Sequence, residues 1–280
     1  MPAFAIVDAQ AVDAARLHSA FTAAFADYLI GPFQVPLPQW PQLLARQGVD
    51  LGPSRVAINR GEPIAFCLVA PRPECGSWRL ATMGALPAAR GTGAAPALLD
   101  DFIARAKAGG VAFVELECFA QNTRALRLYQ SRGFQAVDAL YGYRCTAAAA
   151  TVAPSTPTVV DLRDAFDWLD ELHGAGCALP LQVTPRSLRA LTVPLQAWRR
   201  GSAQLVFAEG ADGSIQVHSL VDPQPVQNAA GELVAALLAR YPGRLVRVPQ
   251  LQRQVVGGAA LERLGFAREP LHQLWMRLAT

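Results

Sequence analysis

The chain is poor in lysine, in paired cysteine and in clustered histidine, and each shortage excludes something. Lys107 is the single lysine among 25 basic residues, and the net charge is only +3. That balance provides no basic stripe for a nucleic acid, and the arginine bias reads as codon composition. The five cysteines, Cys67, Cys75, Cys118, Cys145 and Cys177, are odd in number and irregularly spaced, with no C-x-x-C pair. They read as reduced thiols in a cytoplasm, neither a disulfide framework nor a zinc site. None of the four histidines stands at metal-ligand spacing to another histidine or to a cysteine, so no metal is expected. There is no run of 18 apolar residues and hence no expected membrane span. The start of the chain lacks a basic region and meets Asp8 early, so no secretory signal is expected.

What is present is an apolar, alanine-rich chain of 280 residues, long enough for two packed domains. The small-residue stretch 146–158, with Pro154 and Pro157, reads as a linker between domains 1–145 and 159–280. The first half reads β-α-α-β-β-β-α-β-α-β. Phe4 to Val7 is a strand, and Ala11 to Tyr28 is a helix with Leu17, Phe21, Phe25 and Tyr28 at helical spacing. A proline-rich stretch, 32–41, precedes a short helix from Trp40 to Gln47. Arg55 to Ile58 and Pro63 to Ala70 form a hairpin about Asn59-Arg60-Gly61-Glu62.

The most informative segment follows. A strand-like run from Trp78 to Leu86 leads into Arg90-Gly91-Thr92-Gly93-Ala94-Ala95, and a helical pattern runs from Ala97 to Ala108. A strand, a glycine-bearing turn and a helix N-terminus gather backbone N–H groups at one spot, where the helix dipole favours an anion. Gly91 and Gly93 allow close approach to the backbone. The third glycine of a dinucleotide fingerprint is missing, and no Walker pattern occurs. Next come a strand from Val111 to Glu117 and a helix from Asn122 to Arg132, which Gly133 stops.

Arg90-x-x-Gly93-x-Ala95 resembles the pyrophosphate loop of the GNAT superfamily of N-acetyltransferases. Asn122-x-x-Ala125-x-x-Leu128-Tyr129, with Gly133-Phe134 after it, resembles a second segment of that family in the same order. The resemblance covers residues 3–145. Together with a repeat of this order in the second half, it implies two GNAT-like α/β (α+β) domains, each a mixed, mostly antiparallel sheet flanked by helices. It also implies acetyl-CoA as the acyl donor and direct attack by an amine acceptor without an acyl-enzyme.

By that resemblance Gly84, Ala85, Leu86, Arg90, Gly91, Thr92, Gly93, Ala94, Ala95, Asn122 and Tyr129 bind the donor. Met83 to Leu86 match the family strand whose backbone lies along the pantetheine arm. Tyr129 protonates the departing thiolate. Glu117, or Glu115 on the same strand face, takes the amine proton, unless that proton passes to bulk water. Asp27, Tyr28, Phe33 and Trp40 border the acceptor side, where helix-end polarity and core packing are the alternative readings. Cys118 reads as a small core or site-lining residue. A non-catalytic acyl-CoA sensor or scaffold is the alternative to an enzyme. The expected partners are acetyl-CoA and an amine, with no nucleic acid and no membrane, in a monomer or homodimer.

The second half repeats the order of elements, and Arg263-Leu264-Gly265-Phe266 matches Ser131-Arg132-Gly133-Phe134. Val159 to Asp161 starts it, and a helix follows from Arg163 to Leu172. Strands are expected at Ala203 to Ala208, Ser214 to Leu220, Leu245 to Val248 and Leu271 to Leu278. Helices are expected at Gly231 to Arg240 and Val255 to Leu264. In this register Leu261 stands opposite Tyr129 and Gln254 opposite Asn122. The turn at Asp222-Pro223-Gln224-Pro225-Val226-Gln227-Asn228 has no Arg-x-x-Gly, and its prolines remove N–H donors. The second half is therefore expected to be a degenerate GNAT-like domain without acyl-CoA binding, with an unrelated α/β domain as the alternative.

Overall fold

The computed structural model describes residues 4–146 and 156–280. The chain divides into two compact units, Met1–Val137 with Trp275–Thr280, and Asp138–Leu274. The linker expected at 146–158 lies largely outside the described residues.

In the first unit the elements are β1 (Ala5–Asp8), α1 (Ala14–Ala24), α2 (Trp40–Arg46), β2 (Asp50–Asn59), β3 (Glu62–Arg72), β4 (Ser77–Ala85), α3 (Ala94–Ala108), β5 (Phe113–Phe119) and α4 (Thr123–Gln130). This is the order read from the sequence. β1 to β5 lie side by side in chain order, antiparallel except for the parallel pair β4–β5. The β2–β3 turn holds Arg60 and Gly61 at φ of 49° and 85°, the two positive values a tight hairpin turn demands. β3 is buried from Ala65 to Ala70 because α1 and α3 both pack on it. Phe66 and Leu68 join Leu17, Ala20, Phe21 and Ala24 of α1 in one core.

α1 starts at its Asp13 cap, whose carboxylate accepts from Arg16 N at 3.0 Å, and it stops at Ala24, not at Tyr28. Phe25 leaves helical geometry, and Phe33 N bonds back to its carbonyl at 3.2 Å. Gly109 and Gly110 close α3, which moves β5 two residues along from the expected start at Val111.

The second unit contains most of β6 (Gln135–Thr146), then β7 (Thr158–Val160), α5 (Leu162–Gly174), α6 (Pro185–Leu188), β8 (Gln196–Arg200), β9 (Ala203–Glu209), β10 (Ile215–Val221), α7 (Asn228–Arg240), β11 (Leu245–Arg253), α8 (Gly258–Arg263) and most of β12 (Ala267–Ala279). Its strands run in the order β12-β6-β11-β10-β9-β8-β7. β10–β11 is again a parallel pair, joined through α7. β8 and α6 carry no strong pattern in the sequence, and the expected helix from Val255 is a short turn followed by α8. The repeat extends to the hydrogen bonds. Phe134 N bonds Tyr129 O at 3.2 Å in the first unit, and Phe266 N bonds Leu261 O at 3.1 Å in the second.

The last six residues belong to the first unit. Glu115, fully buried on β5, explains this. It accepts from Arg72 Nη1 at 2.6 Å, Trp275 Nε1 at 3.0 Å and Arg277 Nε at 3.2 Å. A buried carboxylate without such partners would be strongly disfavoured. The protein is α+β with mixed, mostly antiparallel sheets, and among the described residues no helix is long and apolar enough to cross a membrane.

Candidate active site

β4 and β5 pair only through Ser77 with Phe113, Trp78 with Val114 and Arg79 with Glu115. Both strands continue past this point, and a cavity of about 620 Å³ opens beside their far ends. Four segments wall it. Phe25, Asp27, Tyr28 and Leu29 follow α1. Met83, Gly84 and Ala85 end β4. Arg90, Gly91 and Gly93 lead into Ala94 and Ala95 of α3. Gln121, Asn122, Arg124, Leu128 and Tyr129 come from α4 and its approach.

Gly91 and Gly93 hold φ of 85° and 87°, and a β-carbon at either would meet nothing within 4 Å. Glycine is needed there for conformation, and the space above the turn stays open. Gly93 is the N-cap of α3, with no side-chain cap and no acid in the first turn. Asp13 and Asn122 cap α1 and α4 with their side chains. The first N–H groups of α3 are thus left for a ligand, in the field of the helix dipole. The open, uncapped loop fits the phosphates of an acyl-CoA. Gly84 serves differently. A β-carbon there would lie 2.7 Å from Phe66 Cζ and 3.0 Å from Ala24 Cβ, so the residue sets the approach of α1 to β4.

Arg90 is held by Asp27. Its Nη2 donates to Oδ1 at 2.5 Å, Nη1 donates to Oδ2, and Nη2 also reaches the Ala24 carbonyl at 3.3 Å. The guanidinium draws the Asp27 carboxyl below its ordinary range. Tyr129 is buried, its ring edge-on to Phe134 at 5.9 Å. Burial, with Cys118, Cys67 and Tyr28 nearby, pushes its phenol well above the usual value. Burial also raises Tyr28 to about 12, with Cys118 adding to the rise and a hydrogen bond from Asn122 opposing it. The Cys118 thiol is pushed up to about 12 by burial, and it donates to Phe119 O at 3.5 Å.

The structure thus brings Gly84, Ala85, Arg90, Gly91, Gly93, Ala94, Ala95, Asn122 and Tyr129 together, with Asp27 and Tyr28. Leu86, Thr92, Glu115, Glu117, Phe33 and Trp40 do not line the cavity. Leu86 packs into the α1 core, and Thr92 Oγ1 donates to Ala89 O at 2.7 Å. Glu117 forms a buried ion pair with Arg79, whose Nε donates to Oε2 at 2.5 Å and whose Nη1 donates to Gln47 Oε1 at 3.2 Å. Glu117 Oε1 is buried without a hydrogen-bond partner. Glu115 is committed to Arg72, Trp275 and Arg277, which removes it as a base. Sequence reasoning missed Phe25, Leu29 and Arg124; Arg124, a cation in the first turn of α4, was the readable signal.

The matching turn of the second unit is built otherwise. Asp222 is fully buried, and its Oδ2 accepts from Ala230 N at 3.0 Å, in the first turn of α7. Its Oδ1 accepts from Ser202 Oγ at 2.8 Å and Gln224 N at 3.1 Å. The protein's own carboxylate occupies the N-terminus where an anion would bind. β10 and β11 also pair briefly, through Ile215 with Val246 and Gln216 with Arg247. Past that pairing, Gln252 Nε2 donates to Leu220 O at 3.1 Å and Asp222 N to Val256 O at 3.2 Å.

Fold and cleft define an α+β protein with a parallel strand pair that opens onto an uncapped, glycine-bearing helix N-terminus. Residues 17–134 match the acetyltransferase (GNAT) family. No curated protein sequence matches the chain. The whole fold resembles a GCN5-related N-acetyltransferase from Sphaerobacter thermophilus at 16% identity and a TM-score of 0.65, covering 100% of this chain and 96% of that one. A GCN5-related N-acetyltransferase from Anabaena variabilis gives 14% identity and 0.70, covering 98% and 72%. Eis1 from Mycobacterium abscessus gives 15% and 0.58, covering 99% and 73%. At these identities the likeness is one of fold.

Proposed function

We propose that the first unit is an acetyl-CoA-dependent N-acetyltransferase and that the second unit binds no acyl-CoA. One observation carries the reading. The open end of the β4–β5 pair, the uncapped N-terminus of α3 and the buried Tyr129 line a single cavity.

The loop Arg90 to Ala95 holds the donor's phosphates, with Asn122 and the edge of Met83 to Ala85 along its arm. The amine nitrogen bonds the thioester carbonyl carbon as the carbon–sulfur bond breaks. The products are an amide, a thiolate and one proton from the amine. Tyr129 faces the sulfur. Its raised phenol stays neutral, so it supports the thiolate as a hydrogen-bond donor more than by full proton release. Cys118, buried outside the cavity lining with its thiol held protonated, is a core residue and not a nucleophile.

Glu117 is the proton acceptor. Its Oε1 is buried and carries no hydrogen bond from the protein, so one carboxylate oxygen remains to take the proton relayed from the cleft. Arg79 fixes the carboxylate from the other side. Acetyl-CoA with a panel of amines tests the proposal by thiol release. Release with wild type, lost on Gly93→Asp, is expected. Acetyl-CoA binding without release on any amine would favour a sensor or scaffold instead.

A further inference from the structure

The segment after α1 carries information that donor binding does not use. From Tyr28 to Ala45 there is no Asp, Glu, Lys, Arg or His. Within it Leu29, Ile30, Phe33 and Leu37 are large apolar residues exposed by 44, 51, 37 and 43%. Among the described residues the other exposed large apolar side chains are scattered single valines. Exposed apolar residues grouped along one segment beside a cleft mark a binding wall.

This wall is built and fixed. Phe33 packs edge-on against Phe21 at 5.8 Å and Phe25 at 6.4 Å. His18 Nε2 meets the Val35 carbonyl at 2.6 Å. Leu29 stands at its inner end, lining the cavity with Phe25 and Tyr28, whose rings meet edge to face at 4.9 Å.

The charges lining the cavity narrow the choice. Asp27 is the one acid there, and both its oxygens are taken by Arg90. Arg124 adds a second cation to the lining. A second ammonium on an acceptor meets no carboxylate there, and desolvating it unpaired is costly. A single amine can rest against the aromatic faces of Phe25 and Tyr28.

We propose that the acceptor is a monoamine with an apolar, aryl or alkyl body laid against Leu29 and Phe33, and that polyamines and aminosugars are poor acceptors. The inference rests on reading this cleft as an acetyltransferase site, and it is tested by binding so that the two fail separately. The full-length protein saturated with CoA is titrated calorimetrically with 2-phenylethylamine and with spermidine. The expected Kd for 2-phenylethylamine is lower by at least about tenfold. Leu29→Asp raises it by at least about tenfold, and Leu29→Met keeps it within about twofold. Both variants melt as wild type does, because the side chain is largely exposed. Spermidine binding as tightly, or Leu29→Asp leaving the 2-phenylethylamine titration unchanged, overturns the proposal. Binding as expected with no thiol released from acetyl-CoA keeps the substrate class and overturns the enzymatic reading.

Discussion

At Tyr129, burial and chemistry point the same way. Its phenol and that of Tyr28 are held above the ordinary value of 10. Tyr129→Phe removes one hydrogen bond to a developing thiolate, so kcat is expected to fall about 10- to 100-fold with little change in the melt. Glu117→Gln is expected to lower kcat by about 100-fold at neutral pH. That loss narrows as pH approaches the acceptor amine's own pKa, where no base is needed. The wild-type rate therefore rises with pH and shows no falling limb from tyrosine ionisation up to about pH 10. Stability has the opposite sign above that point. The unfolded chain loses its phenolic protons first, so stability falls as pH climbs from 10 towards the raised folded values. Gly84→Ala presses a methyl against Phe66 and Ala24, and about 1–3 kcal/mol of stability is expected to be lost in a denaturant melt.

Among elements, local chemistry was legible and distant partnership was not. The turn at Arg60-Gly61, the glycines before α3, the Asn122 cap and the repeated Gly-Phe stops are short-range features, and each could be read from neighbouring residues. The side-chain hydrogen bonds that hold the carboxylates are not short-range. Arg79 and Glu117 are 38 residues apart, Arg90 and Asp27 are 63 apart, and Trp275 and Glu115 are 160 apart. Periodicity places Glu115 and Glu117 on one strand face without saying what covers it, so their pairing with Arg72 and Arg79 could not be read. The same blindness extended α1 to Tyr28, since its apolar spacing continues through residues that turn away. Two element-level tests follow. Trp275→Ala empties a site 1% exposed and removes a donor from Glu115. A loss of about 3–5 kcal/mol is expected, seen as a lowered melt with donor binding weakened alongside it. Asp222→Ala strips the cap of α7 and leaves two N–H groups without their acceptor. A loss of roughly 1–3 kcal/mol is expected, with acetyl-CoA binding in the first unit unchanged.

Taken as a whole molecule, the chain holds two units with the same order of parallel pair and connecting helix, and they differ where an anion would sit. In one, glycine leaves the helix N-terminus open; in the other, Asp222 fills it. One donor site per chain is therefore expected. Calorimetric titration of the full-length protein with acetyl-CoA, beside Gly93→Asp, tests this most directly. A stoichiometry of one, abolished by a carboxylate placed in the open loop, is the predicted result. Two sites, or one site that survives Gly93→Asp, would contradict it.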